Sequence, residues 1–127
     1  MYKFSDGKVL AAGTIGDIGT TSFYPSKNLG AYGDGGAIFS RNAELGDYLQ
    51  VICNHGAKRK YYHDNIGVNS RLDAIQAAIL GIKLKHLASY NAARVQAAKV
   101  YDELLGDLPG IQTPSWNDAG SHVFHQY

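Results

Sequence analysis

Between Thr20 and Ala37 the chain reads TTSFYPSKNLGAYGDGGA, and no other stretch constrains the fold as much. The hydroxyl and aromatic run from Thr20 to Tyr24 has strand character. Pro25 ends any ladder there, because it has no N–H to donate. Lys27 follows at the strand's carboxyl end. Gly30, Gly33, Gly35 and Gly36 come next with Asp34 as the single charge, and Ala37 to Ser40 reads as a second strand. A lysine where a strand stops, followed by glycines that let backbone approach a ligand, is a place for an amine to do chemistry. The plain alternative is a tight loop carrying a solvated lysine. GDGG is not a P-loop, since no Gly-Lys-Ser/Thr follows it, and not a dinucleotide fingerprint, since a strand rather than a helix follows.

The chain has 127 residues, which is one domain or less. A net charge of +1 and a pI near 7.9 give no pull toward nucleic acid or a membrane surface. No apolar run is long enough to span a membrane, and the first twelve residues do not resemble a signal peptide. The single cysteine, Cys53, excludes an internal disulfide and suits a reducing compartment, so a cytoplasmic location is expected.

Periodicity supplies the remaining elements. Lys8 to Ala12 is at most a short strand in a glycine-spaced leader. Asn42 has the character of an N-cap, and Ala43 to Cys53 is predicted to be helix with Leu45, Leu49 and Ile52 facing inward and Gly56 as its stop. Cys53 is expected in the core, and His55 is read as helix-end polarity. Lys58, Arg59 and Lys60 form a basic run beside Tyr61 and Tyr62, by default a solvated loop. Ser70 to Asp73 has the form of a capping box, with Asp where Glu is usual. It opens a predicted helix from Arg71 to Lys85 with Leu72, Ile75, Ile79 and Ile82 buried. Asn69 and Arg71 would then lie at a helix start, where N–H groups and the dipole favour an anion. Leu87 to Leu105 is predicted to be a further helix, with any kink near His86–Ser89, packed through Tyr90, Ala93, Ala97, Val100 and Leu104. Gly106, Pro109 and Gly110 stop it. His122 to Tyr127 alternates like the start of a strand. That would put His122 and His125 on opposite faces, and no metal site is expected.

SFYPSKNLGAYGDGGA, together with the later NSRLDAIQAAIL, closely resembles the DegT/DnrJ/EryC1/StrS family of sugar aminotransferases, from about Asp17 to Tyr127. The resemblance implies an α/β fold, the aspartate aminotransferase-like fold type I of enzymes that use pyridoxal 5′-phosphate. Residues 1–86 would be the C-terminal part of the cofactor-binding large domain, and residues 87–127 a connecting helix and the start of a small domain. Lys27 would hold the cofactor as a Schiff base and act as general base and acid. Ser22, five residues before it, and Asn69 would bind the cofactor phosphate, Asn69 from across a homodimer interface. Arg71 would contact the sugar substrate, and its fork would suit the carboxylate of a uronic sugar. The basic run would steer a nucleotide-sugar diphosphate. The expected activity is transfer of an amino group, glutamate's in the family pattern, to a nucleotide-linked keto-sugar, with a 3-keto N-acetylated uronic sugar favoured.

In this family the pattern starts well before Met1. The acid that pairs with the ring nitrogen, the aromatic that stacks on the ring and an early phosphate loop belong to that part. The chain is therefore expected to be the middle-to-late segment of a longer protein, inactive alone. Two rival readings are a non-catalytic remnant that keeps only dimerisation or binding surfaces, and a sugar dehydratase. Relatives of the dehydratase type carry histidine in place of the lysine, so Lys27 favours amino transfer.

Overall fold

The computed structural model describes residues 2–116 and 122–127. Its frame is mixed α/β. Strands β1 (Tyr2–Lys3) and β2 (Val9–Leu10) pair first, then β3 (Ile18–Ser22) with β4 (Gly36–Ser40). Helix α1 (Ala43–Cys53) leads into the short pair β5 (Ala57–Arg59) and β6 (Tyr62–His63), and helices α2 (Ala74–Leu84) and α3 (Leu87–Leu105) follow. All three strand pairs are antiparallel. No parallel pairing occurs among the described residues.

The central strand begins earlier than the sequence suggests and stops at Ser22, opposite Gly36. Phe23 still bonds across, donating to Gly35 O and accepting from Ala31 N, but Tyr24 turns away ahead of Pro25. Thus β3 and β4 form a hairpin whose long connection holds Lys27 and the glycines.

Helix α1 keeps its predicted bounds because its signals are local. Asn42 Oδ1 accepts from Leu45 N at 3.0 Å, and Leu45, Leu49 and Ile52 are half-buried. At the other end Gly56 has φ +70°, and its N–H returns to Val51 O. A Cβ there would sit 1.7 Å from Asn65 O, so only glycine fits. Cys53 is half-buried on a cleft wall rather than enclosed in a core.

Helix α2 starts later than predicted, and the capping box does not form. His55 N donates to Val68 O, Val68 N to Ile52 O and Ser70 N to Cys53 O, while Asn54 and Asn69 make an isolated bridge. These bonds hold residues 68–70 extended along the end of α1. The N-cap is Asp73, with no side-chain cap bond, and Arg71 precedes the helix instead of lying in its first turn. The expected anion site at that helix start is therefore not built by Asn69 and Arg71.

The inward faces of the last two helices also differ from expectation. On α2 Leu80 is buried, whereas Ile75 and Ile82 are 73% and 65% exposed. On α3 the line facing the protein is Leu87, Asn91, Arg94, Val95, Ala98, Asp102 and Leu105, and the predicted stripe through Tyr90, Val100 and Leu104 faces out. Polar side chains bond across the inward line, as described below. The tail is not a strand. Phe124, at φ +43°, turns the backbone and is buried with its ring 4.6 Å from that of Trp116.

The buried apolar residues among those described are Ala31, Ala57, Leu80, Ala98 and Phe124. The accessible surface is 9611 Å² for 13.7 kDa. A compact monomer of that mass exposes roughly 6,600 Å². Exposed large apolar side chains such as Ile18, Ile66, Ile75, Ile82 and Leu104 contribute to that surface.

Candidate active site

Lys27 sits in the turn after β3. Its N–H donates to Tyr24 O at 2.9 Å, and Ala31 N closes the loop onto Phe23 O at 2.7 Å. Gly30 and Ala31 are buried beneath this turn, and Lys27 is half-buried. Ser22, the last residue of β3, is exposed, and its Oγ accepts from Tyr24 N at 3.2 Å. Lys27 therefore lies inside the loop closed between Phe23 and Ala31, and Ser22 is the residue just before it. Helix α2 holds the far side of that loop through Gln76, whose Oε1 accepts from Tyr32 N at 2.9 Å.

Asn69 and Arg71 are placed elsewhere. Both are exposed, and both line a cleft of about 680 Å³ with Thr21, Gly35, Gly36 and Cys53. The cleft wall is shared with the β3–β4 hairpin, but Lys27 is not among its lining residues. Lys58, Arg59 and Lys60 lie on and just after β5. The Arg59 guanidinium stands 4.5 Å from the Tyr62 ring centre and the Lys60 ammonium 5.0 Å from that of Tyr61.

The sequence reading gave no site role to three residues near the lysine. Arg94 donates to the carbonyls of Phe124 and His125, at 3.3 and 3.1 Å, and to Ser26 O at 3.4 Å. Asn28 Nδ2 donates to Asn91 Oδ1 at 2.7 Å and to Val123 O at 3.1 Å. His125 Nε2 lies 3.2 Å from Lys27 Nζ. Helix α3 and the tail thus close over the lysine turn. Polar residues on a helix score as surface in a hydrophobic pattern, so only the fold reveals these pairings.

The frame is mixed α/β, and it sets a half-buried lysine in a glycine-floored turn after a strand. The model of the DegT/DnrJ/EryC1/StrS aminotransferase family matches residues 6–127, and the chain belongs to that family. It is 49% identical over 117 residues to the "Pleiotropic regulatory protein" of Geobacillus stearothermophilus, covering 91% of this chain and 32% of the relative. It is 50% identical over 115 residues to the UDP-N-acetyl-3-dehydro-alpha-D-glucosamine 3-aminotransferase of Acidithiobacillus ferrooxidans, covering 91% and 31%. A crystal structure of a family aminotransferase from Brucella abortus superposes with a TM-score of 0.83 at 43% identity, covering 91% of this chain and 31% of that one. The chain spans about a third of the length of the relatives it matches.

Enzymes of this family depend on pyridoxal phosphate, and the similar ntda structure from Bacillus subtilis contains bound PMP (TM-score 0.77, 36% identity, 86% of this chain and 26% of that one). The donor set in the lysine turn fits such a group. A primary amine is the group that an aldehyde captures. The Ser22 hydroxyl is exposed at the strand end and donates to no protein group among the described residues, so it is accessible to a ligand oxygen.

Proposed function

We propose that this chain supplies the lysine turn of a pyridoxal phosphate-dependent enzyme that transfers an amino group, from glutamate as donor, to a nucleotide-linked keto-sugar. The observation that carries the reading is Lys27 itself. It is half-buried in the turn after β3, five residues beyond Ser22, within a segment that matches the family over residues 6–127.

When bound, the cofactor supplies an aldehyde and a ring that draws electrons from the donor's α-carbon. Lys27 would hold it through its amine and, once free of it, would move a proton to and from that carbon as base and acid. Ser22 holds the phosphate. Asn69 reaches the phosphate of a partner subunit in a homodimer, and Arg71 orients the sugar, its fork suited to a carboxylate. The exposed positions of Asn69 and Arg71 support roles toward a partner and a substrate rather than toward Lys27 of the same chain. The outward apolar face of α2 supports burial in a larger assembly. Residues 1–86 belong to the cofactor domain, and residues 87–127 form the connecting helix and the start of a smaller domain, consistent with the break between α2 and α3 at His86. The basic run on β5 steers the nucleotide diphosphate, and the relative from Acidithiobacillus ferrooxidans, named for a UDP-linked sugar, supports that substrate class. No helix among the described residues is long and apolar enough to cross a membrane. A cytoplasmic location agrees with the lone cysteine.

The test is to add pyridoxal phosphate, reduce with borohydride and map the labelled peptide. A pyridoxyl group on Lys27, absent from Lys27→Ala, supports the reading. Labelling spread evenly over the other lysines, with Lys27 unmodified, refutes it.

A further inference from the structure

We infer that His125 is a positioning residue of the lysine site, holding the Lys27 amine through a hydrogen bond to its Nε2. The pairing concerns this chain's own atoms; its catalytic meaning rests on the role proposed above for Lys27. The two groups lie 98 positions apart in sequence and 3.2 Å apart in space, both partly buried. An ammonium has only donors, so Nε2 must accept. In a neutral ring this leaves the proton on Nδ1, the opposite of the form favoured by free imidazole. Nδ1 is buried and has no hydrogen-bond partner among the described residues. A buried donor without a partner is costly, and here it marks where a ligand oxygen would complete the ring's bonding.

The tail is fastened on both sides of the lysine. Arg94 joins Ser26 to the carbonyls of Phe124 and His125, while Asn28 holds Val123. Ser26 and Asn28 flank Lys27, so these bonds set the height of the histidine above the amine. Phe124 supports the same placement, because its positive φ is held by a buried ring 4.0 Å from that of His122. His125 is not the base that frees the amine. In this pairing the proton stays on the amine, and Nε2 only accepts it as a hydrogen bond. What the histidine provides is direction, since it restricts a flexible four-carbon side chain to one orientation.

The test is long-range proton–nitrogen NMR of the histidine rings in the ¹⁵N-labelled chain, at mildly alkaline pH where imidazole is neutral. His125→Gln assigns the ring. The wild-type ring is expected in the Nδ1–H form. Lys27→Met, and separately Arg94→Met, should shift its tautomer ratio toward Nε2–H by roughly tenfold, the effect of one charge-assisted hydrogen bond. Unchanged amide spectra elsewhere show that each variant is folded. A wild-type ring already in the Nε2–H form, or a ring indifferent to Lys27→Met, overturns the inference. Pyridoxal phosphate should also move the His125 signals, because it consumes the amine. If the ring answers to Lys27→Met while the cofactor neither shifts it nor labels Lys27, the pairing stands and the cofactor reading falls.

Discussion

Gly30 lies so close to Pro25 that a Cβ on residue 30 would sit 2.4 Å from the Pro25 carbonyl oxygen and 2.8 Å from that of Tyr24. The same Tyr24 carbonyl accepts from Lys27 N, so the glycine forms the floor of the lysine turn. Gly30→Ala must push backbone apart, because neither oxygen belongs to a flexible side chain. It should destabilise the fold by about 1–3 kcal/mol, the usual cost of overpacking. A urea titration should show a lower midpoint, and borohydride trapping of pyridoxal phosphate at Lys27 should fall with it. An unchanged midpoint would show that the turn relaxes freely.

Asp102 receives two aromatic donors, Trp116 Nε1 and, at 2.6 Å, Tyr127 OH. Crowding of the phenol, with the Tyr101 ring stacked at 4.9 Å, and the bond to Asp102 push the Tyr127 pKa up to about 12, against a weaker opposing bond from Thr113. The residue is still 40% exposed, so the carboxylate is the cause to test first. The folded state holds this proton more tightly than the unfolded one. Its contribution to stability is therefore complete below the ordinary value of 10.0 and is lost as pH rises toward about 12. The tyrosinate absorbance of wild type minus Tyr127→Phe should show one phenol titrating near 12, and Asp102→Asn should bring it down toward 10.0.

The two capped helices give a paired prediction. Asn42 makes a side-chain cap bond to Leu45 N, whereas Asp73 makes none. Asn42→Ala should cost about 1 kcal/mol. Asp73→Ala should cost roughly 0.3 kcal/mol, the dipole share alone. Denaturation of the two variants side by side checks the order, and equal losses would mean that Asp73 caps in solution.

The same contrast shows what was legible in the sequence. Helix α1 carries its own cap, its half-buried leucines and its glycine stop within about a dozen positions, so its bounds could be read directly. The start of α2 could not, because residues 68–70 are held by backbone bonds to the end of α1, which no local pattern encodes. The length of α3 was readable, but its inward face was not. Asn91 and Arg94 point at carbonyl and amide groups of Ser26, Asn28 and the tail, and a hydrophobic count scores such residues as surface. The alternation of His122 to Tyr127 suggested a strand, but burial of Phe124 bends it. At the candidate site, Lys27 and Ser22 were visible through their motif. His125 was not, because its relation to Lys27 exists only after α3 has folded back.

The basic hairpin separates steering from stacking. Arg59 and Lys60 already rest on the faces of Tyr62 and Tyr61, and Tyr61 is 80% exposed, so these charges remain in water and are screened by salt. If the hairpin attracts the diphosphate of a nucleotide sugar, Lys58→Ala with Lys60→Ala should weaken binding of uridine diphosphate roughly tenfold at low ionic strength. Most of that difference should vanish at high salt. A contact made by base stacking behaves otherwise, because its energy comes from buried aromatic area and little of it is screened. Tyr61→Ala should then weaken binding by a similar factor at both ionic strengths. Calorimetric titrations of the two variants at low and high salt decide between the mechanisms. Wild-type affinity in the double variant at low salt would remove the hairpin from the substrate path.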